Sequence, residues 1–251
     1  MTEHTDFYID IAIKRLKDLV KYSLKFDIIL VLIHSKKREQ MEQILKNKFN
    51  ITNQSKLNEI EELISKRRAL ELFKNKDFLS CDIYKFDFLA KIHAHLFGEI
   101  YYFTGKIRTQ NISKGGFRFA PVIYIDEAIK QVENMPNLSF SQIVEKYVEM
   151  NIIHPFREGN GRSMRLWLDF MIRDTLKLAI DWTQISKEDY ILAMERSPIR
   201  DMEIKALLKN SLSQNIDEFS LFAIGVDTSY FYEGYSLYTF NECVTNQSQS
   251  E

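Results

Sequence analysis

Glycine and proline are scarce in this sequence, with 8 and 4 residues among 251. These residue types mark turns and loops, so their scarcity argues against a fold of many short strands and favours long helices. Cysteine is also rare. Cys81 and Cys243 lie far apart and form no CxxC pair, so we expect free thiols in a reducing compartment rather than a disulfide framework.

An excess of charge and a long apolar run are missing as well. The formal net charge is -1, which gives no global attraction to nucleic acid or to an anionic membrane. The apolar run at residues 28–33 is far shorter than the roughly 20 residues of a membrane helix. Residues 1–10 contain acids and no apolar core, unlike a signal peptide. We therefore expect a cytoplasmic protein without a membrane segment.

Apolar residues recur at helical spacing along most of the chain, which predicts an all-α fold. A polar, turn-like stretch at residues 50–55 predicts a soft boundary after an N-terminal helical segment. Ser139 and Gln142 form a predicted capping box. His93 and His95 are two residues apart on a predicted helix, which places them on nearly opposite faces and excludes a shared metal.

Residues 105–125 interrupt the helical pattern. The sequence Lys-Gly-Gly at residues 114–116 is a turn signal, and alternating and then continuous apolar residues follow it up to Ile125. We interpret this segment as a short β-hairpin on an otherwise helical protein. A surface hairpin without function is an equally good interpretation of this segment alone.

The chemistry of the chain is concentrated at residues 154–165, which read HPFREGNGRSMR. Pro155 disfavours helix at His154, so the preceding helix should end there. The Gly-Asn-Gly run at residues 159–161 offers backbone that can adopt positive φ and turn its amides toward an anion. A helix predicted from Arg162 onward would add its N-terminus to the attraction for phosphate.

Charged side chains flank this predicted anion site. Arg162 and Arg165 are three apart and share one helix face, which suits a polyphosphate. Glu158 could hold Mg²⁺, which binds through one or two carboxylates plus phosphate oxygens. His154 is the candidate general base, and a structural histidine that caps a helix end is the alternative. The sequence contains neither a P-loop nor the kinase signatures.

A second candidate segment, SYFYEG, closes a helical pattern at residues 229–234. Ser229 and Glu233 are four apart and share a helix face. Gly234 suits the position after a helix end, which leaves Glu233 in the last turn, where the helix dipole disfavours a carboxylate. We therefore expect Glu233 to face a cation from elsewhere in the fold.

Residues 154–165 resemble the Fic family signature HPFx[D/E]GNGRxxR at every defined position. Shorter segments that also resemble the family are residues 92–97, 102–108, 111–119 and 193–197. The resemblance implies an all-α Fic fold, a helical bundle with a β-hairpin flap at residues 114–125. It divides the chain into a helical N-terminal extension (1–54), a Fic domain that includes a C-terminal inhibitory helix (55–240), and a polar tail (241–251).

Resemblance to the Fic family implies protein adenylylation, in which AMP moves from ATP to a Tyr, Ser or Thr hydroxyl of a target protein with Mg²⁺ present. His154 would take the hydroxyl proton, Glu158 would hold Mg²⁺, Arg162 would stabilise the leaving pyrophosphate and Arg165 would hold the γ-phosphate. The candidate nucleotide-binding residues are Lys114, Gly159, Asn160, Gly161, Arg162, Ser163 and Arg165.

The segment at residues 229–234 resembles the family's inhibitory motif [S/T]xxxE[G/N], formed here by Ser229, Glu233 and Gly234. By that resemblance Glu233 pairs with Arg165 and blocks productive binding of the γ-phosphate. An ordinary exposed glutamate is the alternative. The neighbouring Tyr230, Tyr232 and Tyr235 are interpreted as packing residues, or as sites of self-adenylylation that would release the inhibition.

The resemblance also implies partners. The flap would hold a target protein by adding a strand to its edge, and the target could be a type II topoisomerase subunit. Self-association is a further expectation from the family. The rival functions are a nucleotide-binding regulatory module without transfer, transfer of another nucleotide, and removal of AMP. A nucleic-acid-binding patch at the basic residues 36–38 is a further rival function, and a solvated helix end is the other interpretation of these residues.

Overall fold

The computed structural model describes residues 44–75, 78, 81–114 and 117–245. The part of the predicted N-terminal helical segment up to residue 43, which includes the apolar run at 28–33 and the basic residues 36–38, lies outside these ranges. The chain divides into two compact units, Met1–Leu45 and Lys46–Glu251, a few residues before the boundary predicted at 50–55. All elements below belong to the second unit.

Helices dominate the described residues, and in chain order they are α1 Gln54–Glu71, α2 Phe86–Phe97, α3 Ile125–Asn134, α4 Phe140–Ile153, α5 Asn160–Leu176, α6 Lys187–Arg196, α7 Met202–Asn210, α8 Phe219–Tyr232 and α9 Phe240–Thr245. Short 3₁₀ helices span Leu72–Lys74, Val122–Tyr124 and Trp182–Gln184. The prediction of a mostly helical protein is confirmed. Within the described ranges, no helix is both long and apolar enough to cross a membrane.

Helix α5 lies at the centre of the bundle and packs against α2, α4 and α8. Every residue from Arg162 to Ile172 is buried, so the helix is enclosed on all faces, as its apolar sequence predicts. Helix α1 covers the bundle from one side and contacts α2, α8 and α9. The motif residues at the start of α5 are thereby held on a helix that is enclosed on all sides.

Local capping signals explain where several helices begin. The side chain of Asn53 accepts a hydrogen bond from the amide of Lys56 at the start of α1. Ser139 accepts from the amide of Gln142 at the start of α4, and the side chain of Gln142 accepts from the amide of Leu138. The predicted serine cap is confirmed, whereas the reciprocal bond of the capping box is not formed, because Gln142 accepts from Leu138 instead of from the amide of Ser139.

The predicted hairpin is present but shorter than expected. Strands β1 (Ser113–Lys114) and β2 (Phe117–Arg118) pair antiparallel. The apolar residues that follow were predicted to extend it, and this was wrong, because Val122–Tyr124 forms a 3₁₀ helix and α3 begins at Ile125. Pro121, with φ near -59°, starts this helical turn, and the run of β-branched residues misled the prediction.

Two features near the C-terminal half were not predicted. Strands β3 (Ala179–Ile180) and β4 (Leu212–Ser213) form a second antiparallel ladder, which is too short to give a periodic signal. Residues 240–245 form α9, although we assigned residues from 241 onward to a polar tail. Cys243 in this helix is 1% exposed, and both cysteines are free thiols, as predicted.

Candidate active site

Two residues in the left-handed region bracket the loop that carries the motif. His154 is the C-cap of α4 with φ 52°, and Gly159 is the N-cap of α5 with φ 78°. Pro155 explains why the helix stops at His154, because the residue before a proline disfavours the right-handed helical conformation. The prediction that the preceding helix ends at His154 is confirmed.

Within the Gly-Asn-Gly run, positive φ is confined to Gly159. Our expectation of an extended anion nest was wrong for Asn160 and Gly161, which are the first two residues of α5. The site instead offers the N-terminus of a long helix, whose free amides and dipole attract anions. A Cβ on Gly159 would lie 2.4 Å from the ring of Phe97, so this position needs glycine for space as well as for φ.

Asn160 closes the loop with its side chain. Its Oδ1 accepts from the amide of Phe156, and its Nδ2 donates to the carbonyl of the same residue, each at 2.8 Å. Phe156 is fully buried, and its ring stacks on His93 with centroids 3.9 Å apart. Asn160, predicted to cradle phosphate with its backbone as part of the Gly-Asn-Gly run, therefore shapes the loop with its side chain.

His93 supports this loop from α2, a role that sequence reasoning missed. Its Nδ1 accepts from the amide of Gly105 at 2.9 Å, so the ring is neutral and its Nε2 donates to the carbonyl of Glu158 at 2.8 Å. Burial lowers the pKa of His93 to about 4, which keeps this tautomer at neutral pH. The contact joins residues 65 positions apart, and no local spacing indicates it.

His154 has the geometry of a general base. Its Nδ1 lies 3.3 Å from the carbonyl of Asn151, which can only accept, so Nδ1 carries the proton and Nε2 keeps its lone pair. The ring stacks on Phe119 of the flap, with centroids 3.7 Å apart. Burial lowers the pKa of His154 to about 4, so the side chain is neutral near pH 7.

Arg165 is buried and held from α8. Its Nε donates to the hydroxyl of Ser229 at 2.7 Å, and its Nη2 donates to the carbonyl of Ser229 at 2.8 Å. The same Nη2 forms an ion pair with Oε1 of Glu233 at 2.9 Å. The expectation that Ser229 and Glu233 share a face is confirmed, and the cation they face is Arg165.

Glu233 is the C-cap of α8 and meets a second cation. Its Oε2 lies 3.1 Å from Nζ of Lys114 in the flap. Burial would raise the pKa of Glu233, but the charges of Arg165, Lys114 and Arg162 outweigh burial and hold it well below its usual range. A Cβ on Gly161 would lie 2.2 Å from Oε1 of Glu233, so the second glycine of the motif makes room for this carboxylate. Gly234 follows with φ 89°, as its predicted position requires.

Arg162 faces a carboxylate that the sequence did not reveal. Its Nη2 lies 2.7 Å from Oε1 of Glu61 in α1, and 3.5 Å from Oε1 of the motif's Glu158. The guanidinium lies over the rings of Phe97 and Tyr235, at 4.7 and 4.6 Å from their centroids. Its Nε and Nη1 are buried without a hydrogen-bond partner in the described part of the chain.

Glu61 is itself firmly held. It is 2% exposed and accepts hydrogen bonds from the hydroxyls of Tyr101 and Tyr235. Burial would raise its pKa, but Arg162 and these hydroxyls lower it, so the carboxylate stays ionised. A buried pair of this kind is stable only when the remaining lone pairs are satisfied, and here the tyrosines satisfy them.

The residues present fit a magnesium ion that arrives with a nucleotide. No group of three or more potential metal ligands occurs among the described residues, so a protein cage is absent there. Mg²⁺ does not need one, because it commonly takes one or two carboxylates and completes its shell with phosphate oxygens and water. Glu158, with a side chain 50% exposed beside the helix N-terminus, is the carboxylate that could serve.

The side chains of the remaining candidate site residues differ in their exposure to solvent. Lys114 has a side chain 72% exposed and pairs with Glu233. Ser163 is fully buried, and its hydroxyl has no partner in the described ranges. The hydroxyls of Tyr230 and Tyr232 are buried and donate to Ser65 and Ile185, which supports the packing interpretation.

Known proteins resemble this chain in the region that contains the candidate site. The Fic/DOC family model matches residues 83–172. The protein adenylyltransferase VbhT of Bartonella schoenbuchensis is 28% identical over 217 residues, which cover 77% of this chain and 45% of VbhT. The probable protein adenylyltransferase y4lH of Sinorhizobium fredii is 28% identical over 61% of this chain and 83% of its own length. The chain thus spans less than half of VbhT.

Solved structures agree on the fold. BepC from Bartonella tribocorum, with bound AMPPNP, has a TM-score of 0.59 at 19% identity, over 69% of this chain and 94% of that one. The N-terminal Fic domain of a Bartonella quintana effector, with bound ADP, has a TM-score of 0.57 at 21% identity, over 72% and 95% of the two chains. The bundle around α5 is therefore the Fic fold.

Proposed function

We propose that this chain, whose residues 83–172 match the Fic/DOC family model, transfers AMP from ATP to a hydroxyl side chain of a target protein. The observation that carries the proposal is the neutral His154, which keeps Nε2 free close to the pair formed by Glu233 and Arg165. Transfer to a hydroxyl requires a base and cationic groups for the phosphates, and the site supplies both. The named adenylyltransferase relatives and the AMPPNP bound to BepC support ATP as the donor.

In the proposed reaction the hydroxyl oxygen of the target attacks the α-phosphorus of ATP. The new O–P bond forms while the bond from the α-phosphorus to the bridging oxygen of the β-phosphate breaks, and pyrophosphate leaves. The hydroxyl proton passes to Nε2 of His154. The ring can accept it because the hydrogen bond from Nδ1 to Asn151 fixes the productive tautomer.

The phosphates would be held by the start of α5 and its arginines. The buried Nε and Nη1 of Arg162, which have no hydrogen-bond partner in the described part of the chain, are candidate donors to the phosphates. Arg165 would hold the γ-phosphate once it is free of Glu233. Glu158 would hold Mg²⁺, which neutralises charge on the phosphates when bound.

The flap is the candidate site for the target. Strands β1 and β2 are exposed, and β2 lies next to Phe119, whose ring covers His154. A target segment that adds a strand to this hairpin would bring its hydroxyl near the base, and main-chain hydrogen bonds would tolerate varied sequences. A type II topoisomerase subunit as the target, and self-association, stay predictions.

We further propose that Glu233 inhibits the transfer. The carboxylate occupies Arg165 at 2.9 Å and approaches Gly161 at the start of α5, which is where phosphate oxygens would bind. A negative group in that place repels the γ-phosphate and removes its cation. The same pairing favours the rival function, a module that binds nucleotide and never transfers.

The experiment is AMP incorporation into lysate proteins from ATP labelled at the α-phosphate. It uses the Glu233→Gly protein as parent and the additional change His154→Ala. We expect transfer to fall by about 10²- to 10⁴-fold, as for loss of a general base, while ATP binding is kept. His95→Ala is the matched control, since His95 contacts Arg68 instead.

The outcomes separate the candidates. Undiminished transfer after His154→Ala would remove His154 from the base role. A parent that binds ATP but transfers no label would favour the nucleotide-binding module.

A further inference from the structure

Arg108 is a buried cation that the reaction above does not use. It is 3% exposed, and no carboxylate forms an ion pair with it among the described residues. Its guanidinium donates to four main-chain carbonyls instead. The acceptors are His154 at 2.8 Å, Gln110 at 2.7 Å, Ala120 at 2.5 Å and Ile153 at 3.2 Å.

These four carbonyls belong to two functional segments. Ile153 and His154 end α4, where the last carbonyls have no partner within the helix and the dipole favours a cation. Gln110 leads into the hairpin and Ala120 leaves it. The backbone amide of Arg108 also donates to the carbonyl of Pro155 at 2.8 Å. One side chain thus ties the backbone of the base to both ends of the flap.

We propose that Arg108 is a positioning residue, which holds His154 and the flap in one fixed arrangement so that the base meets a hydroxyl presented on the flap. The inference rests on the proposed adenylyl transfer. Its geometric basis is the planar guanidinium, which has five donors in a fixed fork and reaches the end of α4 and both ends of the flap at once. Lysine has one charged nitrogen at the end of a flexible stem and cannot reproduce this set.

The conformation of His154 explains why such a hold is needed. A non-glycine residue at φ 52° adopts a backbone that is uncommon, and the surrounding structure must over-determine it. The hydrogen bond from Nε of Arg108 fixes the carbonyl of this residue. The stack of Phe119 on the imidazole fixes the ring, and Ala120, next to Phe119, is held by the same guanidinium.

The charge of Arg108 acts in the same direction. Besides burial, its positive charge is among the causes that lower the pKa of His154, so it favours the neutral imidazole. Facing His154 are also Lys114, which lowers this pKa, and Glu233, which raises it. Loss of Arg108 should therefore disturb both the place and the protonation of the base.

The test compares Arg108→Lys with Arg173→Lys, both in the Glu233→Gly protein. Arg173 is a matched control, because it is also largely buried and donates to a main-chain carbonyl, that of Ile216, away from His154. Labelled AMP incorporation is measured across a lysate dilution series and normalised to titrated ATP-binding sites. We expect Arg108→Lys to lower the maximal rate by about 10- to 100-fold and to raise the half-saturating lysate concentration, since small displacements of reacting groups have effects of this size.

ATP affinity should change by less than about twofold in Arg108→Lys, because the residue does not contact the start of α5. Equal rates in Arg108→Lys and the parent would overturn the proposal. So would an Arg108→Lys protein that fails to fold while Arg173→Lys folds, because the contact would then serve the fold as a whole. A parent that transfers nothing would instead contradict the proposed function. The role of Arg108 would then be tested by a measurement that does not depend on transfer.

That measurement is the NMR titration of the His154 ring, assigned by comparison with His154→Ala. Substituting Arg108→Gln, with Arg173→Gln as control, should raise the midpoint from about 4 toward the ordinary value. An unchanged midpoint would contradict the inference that the charge of Arg108 lowers the pKa of His154.

Discussion

Two arginines one turn apart on α5 meet carboxylates from two different helices, and the two ion pairs differ in kind. Arg162 pairs with Glu61 of α1, and Arg165 pairs with Glu233 at the end of α8. The N···O distances are 2.7 and 2.9 Å, so distance alone does not separate them. Their surroundings do.

Glu61 lies in the middle of a long helix, is 2% exposed, and is held by two tyrosine hydroxyls. Glu233 lies at a helix end, has a side chain 18% exposed, and has the exposed Lys114 as its other partner. Moving Glu61 would require α1 to leave the bundle, whereas moving Glu233 requires only the last turn of α8 to open. We therefore regard the first pair as scaffold and the second as a releasable brake.

The largest expected difference is in stability. Glu61→Ala leaves the buried charge of Arg162 with only the half-exposed Glu158, 3.5 Å away, as a counter-ion, which should lower the free energy of unfolding by about 3–5 kcal/mol. Glu233→Ala should cost only about 1–2 kcal/mol, because Arg165 keeps its bonds to Ser229. Urea unfolding of both variants measures the difference, and equal losses would erase the distinction between scaffold and brake.

As the pH falls, protonation of His93, which supports the motif loop, should precede protonation of Glu233 in the brake. The pKa of His93 is about 4 in the folded protein and about 6.5 when unfolded, so its contribution to stability is complete above pH 6.5 and is lost as the pH falls toward 4. At pH 5 this loss is about 2 kcal/mol. The pKa of Glu233 lies below its usual range, so the brake stays ionised at pH 5.

Urea unfolding at pH 7 and pH 5 tests this order. In His93→Gln, where the side chain can hydrogen-bond but does not titrate, the loss between the two pH values should be smaller than in the unmodified protein. An equal loss in both would show that His93 is not the group responsible.

The smallest effect is expected at the flap. Lys114→Ala removes a largely exposed ion pair with Glu233, which is worth about 0.2–1 kcal/mol, so transfer by the otherwise unmodified protein should rise by no more than about fivefold. Labelled AMP incorporation measures it at low salt, where exposed pairs are strongest. Lys130→Ala is the control, since Lys130 is similarly exposed and pairs with Glu127. A rise in AMP incorporation as large as that of Glu233→Gly would show that Lys114 in the flap is essential for the inhibition.

The sequence predicted the brake more completely than the scaffold, because the residues of the brake are close together in the sequence. Ser229, Glu233 and Gly234 lie within six residues, so helix spacing and end signals predicted their shared face and the φ of Gly234. Glu61 meets Arg162 across 101 positions, and such tertiary contacts have no local pattern.

The same limit explains the errors at the motif. The Gly-Asn-Gly composition suggested flexible backbone, but α5 already begins at Asn160, because packing on all sides of this helix outweighs the weak helix propensity of Asn and Gly. Ends of elements marked by proline or a capping serine were predicted correctly, as at Pro155 and Ser139.

The central claim is that Glu233 withholds Arg165 from a transferase site that is otherwise assembled. The most direct test is incorporation of AMP from α-labelled ATP by the unmodified and Glu233→Gly proteins, at equal concentration with Mg²⁺ and cell lysate. The account predicts a rise of at least about tenfold for Glu233→Gly, the effect of about 1.4 kcal/mol. Equal incorporation by the two proteins, with ATP bound to both, would contradict it.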